Sequence, residues 1–153
     1  MSKSKVIAPL LIALFGLSLS ACEKPSPGVS VWSGTNSVHR EAVCWTDLDA
    51  ITPEDCAQTI VESAINSPEV GTIEILSDQT VGISIDPEIA EFGWYIAIGG
   101  QRFNDSPIHE TYYRFTFPKV AIPTSGYDMQ IISQGKGSAT RGIWVFKLIN
   151  TAN

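Results

Sequence analysis

Thr111-Tyr112-Tyr113-Arg114-Phe115-Thr116-Phe117 is the stretch that decides the fold. Tyr113, Phe115 and Phe117 alternate with Tyr112, Arg114 and Thr116, so an extended chain puts rings on one face and polar groups on the other. A helix would scatter the same rings around its axis. The segment is therefore a half-buried β-strand, and Tyr112 stands opposite the inward face. The period recurs on both sides of it. Trp94, Ile96 and Ile98 share a face that closes at Gly99-Gly100, and Val81, Ile83 and Ile85 share another within Thr80 to Ile85. Thr72 to Leu76 precedes that run, with Ser77-Asp78-Gln79 between them, and Tyr127 to Ser133 follows the deciding stretch. Gly142 to Ile149 is apolar on both faces, as a central buried strand is.

Nearer the N-terminus, Val29-Ser30-Val31-Trp32 stops at the turn residues Ser33-Gly34-Thr35-Asn36, and Glu41 to Trp45 is a further short strand. One interval breaks the β period. Thr52-Pro53-Glu54-Asp55 offers an N-cap, a proline at the first helical position and an acid at the capping-box position. Ala57, Ile60, Val61, Ala64 and Ile65 then form a helical stripe that ends at Asn66-Ser67-Pro68. A helix of about 13 residues is expected, with Cys56 in its first turn. About eight short strands separated by turns, with one short helix, make a mainly β antiparallel sandwich over residues 29–150.

The chain opens differently. Lys3 and Lys5 precede an uncharged, mostly apolar run from Val6 to Leu19, 14 residues long. That is short of the roughly 20 needed to cross a bilayer as a helix. A positive start, a short apolar stretch and small residues make a secretory signal peptide over residues 1–21. Its end, Leu19-Ser20-Ala21-Cys22, resembles the bacterial lipobox, in which the cysteine thiol takes a diacylglyceryl group and the peptide is cleaved just before it. At about 0.8 kcal/mol per buried CH₂, one acyl chain binds marginally while two hold firmly. The expectation is a protein anchored by lipid at Cys22 to the extracytoplasmic face of the membrane. Glu23 to Gly28, with Pro25 and Pro27, then reads with Cys22 as a Pro-rich tether over 22–28, spacing the domain by roughly 15–20 Å at about 3 Å per residue.

Loss of the first 21 residues removes two lysines and no acid, leaving 8 basic residues against 16 acidic ones. So acidic a chain is repelled by nucleic acid. With Cys22 assigned to lipid, Cys44 and Cys56 are an even pair in an oxidising compartment, where a disulfide persists. Closing that loop stabilises by roughly 3 kcal/mol in the chain-entropy model. The rival, a two-cysteine metal site, has no nearby histidine beyond His39, five residues upstream of Cys44.

Ile83-Ser84-Ile85-Asp86-Pro87-Glu88-Ile89-Ala90, followed by Trp94, is similar to an uncharacterised family of small actinobacterial lipoproteins, a domain of unknown function. Its members share a lipobox cysteine, a short Pro-rich tether, an early cysteine pair, a Pro-Glu-Ile corner and a tryptophan opening the next strand. Those features are Cys22, Pro25 and Pro27, Cys44 and Cys56, Pro87-Glu88-Ile89 and Trp94, and Trp144 sits where a late tryptophan often occurs. The segment from Ala50 to Ser67 departs from the pattern, which has a tighter loop between the cysteines. The resemblance implies an immunoglobulin-like fold and carries no catalytic residues.

Little else suggests chemistry. His39 and His109 lie in polar contexts, and His109 has Asp105 and Ser106 nearby, but a nucleophile needs a base in reach and oxyanion donors. Gly135-Lys136-Gly137-Ser138 lacks phosphate-loop spacing and reads as a hairpin loop. Asp47 and Asp49 are too few for a hard cation. Nothing calls for a cofactor or a metal. Trp32, Trp45 and Tyr112 stand at strand edges or opposite inward faces, and together they are the candidate binding patch. Three functions follow in order: a non-enzymatic binding domain of the cell envelope for an envelope protein or small ligand, a hydrolase assembled around His39 or His109, and a structural accessory subunit.

Overall fold

The computed structural model describes residues 24–150, so the expected signal peptide over 1–21, the lipobox-like stretch and the expected lipidation site Cys22 lie outside the described residues. Two sheets pack face to face. One holds β1 (Gly28–Ser33), β2 (Asn36–Glu41), β5 (Thr80–Ile85) and β8 (Tyr112–Thr116), in the order β2-β1-β5-β8. The other runs β3 (Cys44–Trp45), β10 (Thr140–Asn150), β9 (Tyr127–Gln134), β6 (Trp94–Ile98) and β7 (Gln101–Arg102), with β4 (Gly71–Ile75) also on β10. The helices are α1 (Gln58–Ile65) and the single turn α2 (Pro87–Ala90). The expected class holds: a mainly β sandwich of two sheets with one short helix beside that turn.

Alternation places the core. Val29 and Val31, Val81 and Ile83, and Phe115 from one sheet meet Ile96, Met129, Ile131, Trp144, Phe146 and Leu148 from the other. Trp144 is fully buried, and its indole N–H donates to the carbonyl of Pro27 at 2.9 Å. Each such ring contributes about 1.5–3 kcal/mol on burial. β10 is the central strand foreseen, flanked by β9 on one side and by β3 and β4 in succession on the other. Its pairing with β4 is parallel, an exception to the antiparallel rule of the other pairs.

Several expectations change. The cap at Thr52 forms, its Oγ1 accepting from the Asp55 N–H at 3.2 Å and donating to the Asp55 carboxylate at 2.7 Å, but it closes an isolated turn. Ala57 is extended (φ −60°, ψ 145°), so α1 starts at Gln58 and is 8 residues long. Cys56 therefore precedes the helix instead of lying in its first turn. Its disulfide to Cys44 forms, with Cα atoms 5.7 Å apart, and fixes that turn on β3. The re-aimed helix buries Val61 and Ile65 beside Val145 and turns Ile60 out to 40% exposure. The expected strand from Glu41 to Trp45 is in fact the end of β2 and, after a break at Ala42-Val43, the two-residue β3. Most of β2 carries polar residues at an outer edge, so no apolar alternation announced it.

The Pro-Glu-Ile corner is α2. Its Ile89 is fully buried, and the Ile89 carbonyl accepts from the buried Ser133 hydroxyl at 3.0 Å. The described part of the tether lies along the domain. Lys24 bonds the Glu88 carboxylate, which raises the lysine pKa, and the Ser26 hydroxyl accepts from the Ala42 N–H at 3.2 Å. The Gly28 N–H donates to Asp86 at 2.7 Å.

Candidate functional site

The outer face of the four-stranded sheet is open. Among the described residues, α1 packs against β10 and α2 against β9, both in the other sheet. Strand register lays the open face out in two rows: Ser37, Trp32, Gly82 and Arg114, and beside them His39, Ser30, Ser84 and Tyr112. Every member is the outward partner of a core residue, because successive side chains on a strand point to opposite faces.

Two glycines seat rings on this face. A Cβ on Gly82 would stand 2.1 Å from Trp32 Cε2, 2.3 Å from Cζ2 and 2.3 Å from Nε1, so the indole lies directly across the glycine. Gly82 is extended; here the absent side chain matters, not the conformation. A Cβ on Gly28 would stand 2.2 Å from His39 Cε1 in the same way. The ring of His39 is turned by the Ser30 hydroxyl, 3.0 Å from Nδ1. Trp32 stays half-buried, outside the core cluster, and Tyr112 is 46% exposed. Arg114 is exposed and pairs with no acid among the described residues.

The third residue of the expected patch is elsewhere. Trp45 belongs to the other sheet, its ring 5.8 Å from Trp144 and its N–H donating to Asp47 at 3.2 Å. The Arg141 guanidinium stacks 4.6 Å from its centroid. That arginine is only 7% exposed, and it donates to the Thr46 carbonyl at 3.2 Å and to Glu91 at 2.6 Å. Trp45 is thus half of a structural clamp. It also borders an open cleft of about 790 Å³ with Lys24, Ser26, Asp47, Ile51 and Asp55, at the end where the described chain begins.

The histidines stay apart. His39 has the Ser30 hydroxyl as its partner and no carboxylate, and His109 takes part only through its backbone N–H, 3.3 Å from Glu110. Ser30 and His39 superficially resemble a nucleophile and base. They lie on a flat sheet face whose N–H groups are spent in strand ladders, with no third group to orient the imidazole. Among the described residues no group of three His, Cys, Asp or Glu is placed to hold a metal. The sequence marks Trp32 at a strand edge, Tyr112 opposite an inward face and His39 as one of two histidines for a hydrolase site; Arg114 and the two glycine seats emerge only when register sets four strands side by side.

No family model matches the chain, and no curated protein matches it. Among solved structures it is similar to fibronectin(III)-like modules of CbhA from Clostridium thermocellum, at 10% identity and a TM-score of 0.39, over 56% of this chain and 91% of that one. A likeness of that degree bears on neither activity nor partner.

Proposed function

We propose that this chain is a lipid-anchored, non-enzymatic binding domain of the cell envelope, and that the outer face of the β2-β1-β5-β8 sheet is its binding surface. The observation that carries the reading is the uncovered face itself, on which Trp32 and Tyr112 share four strands with Arg114 and His39. What supports the reading is the combination on one uncovered face of an indole held across a glycine, an exposed phenol and a guanidinium paired with no acid among the described residues, which together offer stacking and hydrogen bonds to a partner. The anchor rests on Leu19-Ser20-Ala21-Cys22. Cys22 is two residues before Lys24, which is tied to Glu88, so the lipid would hold this end of the domain near the bilayer. β1 leads away from that end, and Trp32 lies four residues past Gly28, about 14 Å along the strand at about 3.4 Å per residue.

Two measurements test the reading separately. Mass spectrometry of the protein purified from a bacterial membrane fraction should find Cys22 as the N-terminal residue with a diacylglyceryl adduct; an unmodified peptide running through residues 19–24 would remove the anchor. Hydrogen exchange in the presence of envelope extract should protect β8 and β2. Protection confined to the Trp45 cleft would move the binding site to the other end.

A further inference from the structure

We infer that the open face binds an uncharged carbohydrate chain, with Trp32 stacked on the C–H face of a sugar ring and Arg114, Tyr112 and His39 bonding the hydroxyls around it. This rests on the binding-face reading and is independent of the lipid at Cys22.

Polarity is the first argument. Trp32 is the one large apolar ring among the two rows, and its neighbours are the hydroxyls of Ser30, Ser37 and Ser84, the phenol of Tyr112, an imidazole and a guanidinium. A protein partner buries an apolar cluster at the centre of its interface, and this face has none to offer. A sugar ring is the complementary object: one face of polarised C–H groups, attracted to the electron-rich face of an indole, and a rim of hydroxyls that donate and accept.

Charge complementarity is the second. The sequence carries a net charge of −6, yet the two rows contain one guanidinium and no carboxylate, the nearest strand acid being Glu41 at the end of β2. Polyanions are repelled by the protein as a whole, and cations are drawn to its acidic surfaces elsewhere. An uncharged ligand suits a face with a single cation set in a protein of net negative charge, and Arg114 supplies it with donors that no acid here occupies.

Preorganisation is the third. Gly82 holds the indole and Gly28 the imidazole, the latter also oriented by Ser30. The side-chain freedom that binding would cost has already been given up on folding. Trp32 and Arg114 flank the Gly82 strand, about 10 Å apart at about 4.8 Å per strand, so one extended chain can engage both.

The test uses the protein purified in mild detergent, titrated calorimetrically with neutral gluco-, manno-, galacto- and N-acetylglucosamine oligosaccharides, with backbone NMR to locate binding and confirm folding. At least one should bind weakly and shift the amides of Trp32, Gly82 and Arg114. Trp32→Ala should weaken it at least tenfold, and Gly82→Val should do the same by unseating a ring that is still present. Arg114→Gln should weaken it several-fold, and Gln130→Ala, on the other sheet, should leave it unchanged. Poly-glutamate should not bind. Failure of every sugar, or full affinity in Trp32→Ala, overturns the proposal. Should an envelope protein or a second copy occupy the face instead, the carbohydrate assignment falls while the binding face stands.

Discussion

One substitution, glycine to alanine, made at two seats for tryptophan rings separates packing that is rigid from packing that yields. At Gly142 a new Cβ would stand 2.6 Å from Trp45 Cε3 and 2.7 Å from Trp144 Cη2. Neither ring can retreat. Trp144 is fully buried and bonded to Pro27, and Trp45 is backed by Arg141. β10 is itself held there by β3 on one side and β9 on the other. Overpacking costs about 1–3 kcal/mol, and the pinned rings put Gly142→Ala at the top of that range, about 3 kcal/mol. At about 4 °C per kcal/mol for a domain of this size, Tm should fall by about 12 °C. At Gly82 the intruding Cβ would lie closer still, 2.1 Å from Trp32. That ring, however, faces solvent outside the core and can swing away. Alanine's smaller conformational freedom in the unfolded chain, worth about 0.4–1 kcal/mol, favours both variants alike; because the ring yields at Gly82, Gly82→Ala should stay within about 1 kcal/mol of the parent. Urea titrations followed by far-UV circular dichroism, with the disulfide intact, give both values. Equal losses at the two sites would refute the reasoning, for they would make Trp32 as much a part of the core as Trp144. A neutral Gly142→Ala would refute it from the other side.

Other outcomes follow from the same contacts. Reducing the Cys44–Cys56 disulfide should lower stability by roughly 3 kcal/mol and open the 46–57 segment to protease, read as the urea midpoint and as new cleavage sites; an unchanged midpoint would mean the loop is held by other contacts. Trp144→Phe keeps an aromatic ring but strands the buried Pro27 carbonyl, a loss of about 1–3 kcal/mol accompanied by faster hydrogen exchange at Gly28; normal exchange there would detach the N-terminal segment from Trp144. Glu91→Gln leaves the buried Arg141 charge without its carboxylate and should destabilise more than Arg141→Met, which removes charge and keeps packing. The reverse order in thermal melts would mean that solvent already satisfies Arg141. The Lys24 pKa is raised by its hydrogen bond to Glu88, so the tie is complete at neutral pH and is lost as pH rises through that raised value; chemical shifts of residues 24–28 should be constant from pH 7 to 9 and move only in stronger alkali.

What could be read from the chain alone is whatever local alternation records. Phe115 and Phe117, Val81 and Ile83, Trp94 and Ile96 each announce a strand and its buried face, because the pleat alternates at every second residue wherever the strand ends up. The apolar run of β10 likewise announced a central strand. The proposed location and anchorage rest on Leu19 to Cys22, a linear signal that needs no fold. Tertiary structure decided the rest. Thr52 made its cap, yet the helix began six residues later, because the Cys44–Cys56 bond and the packing of Val61 and Ile65 on Val145 outweigh an end signal worth about 1 kcal/mol. β2 stayed hidden since an outer edge strand of polar residues has no apolar period to show. The candidate site was half legible: Trp32 and Tyr112 are outward by parity, but parity does not say which strands are neighbours. Only the register across β2, β1, β5 and β8 sets Trp32 over Gly82 and beside Arg114, and sends Trp45 to the opposite sheet. Side-chain direction is a property of the single strand, whereas a shared face is a property of strand order, and that order is set by long-range packing that no window of sequence contains.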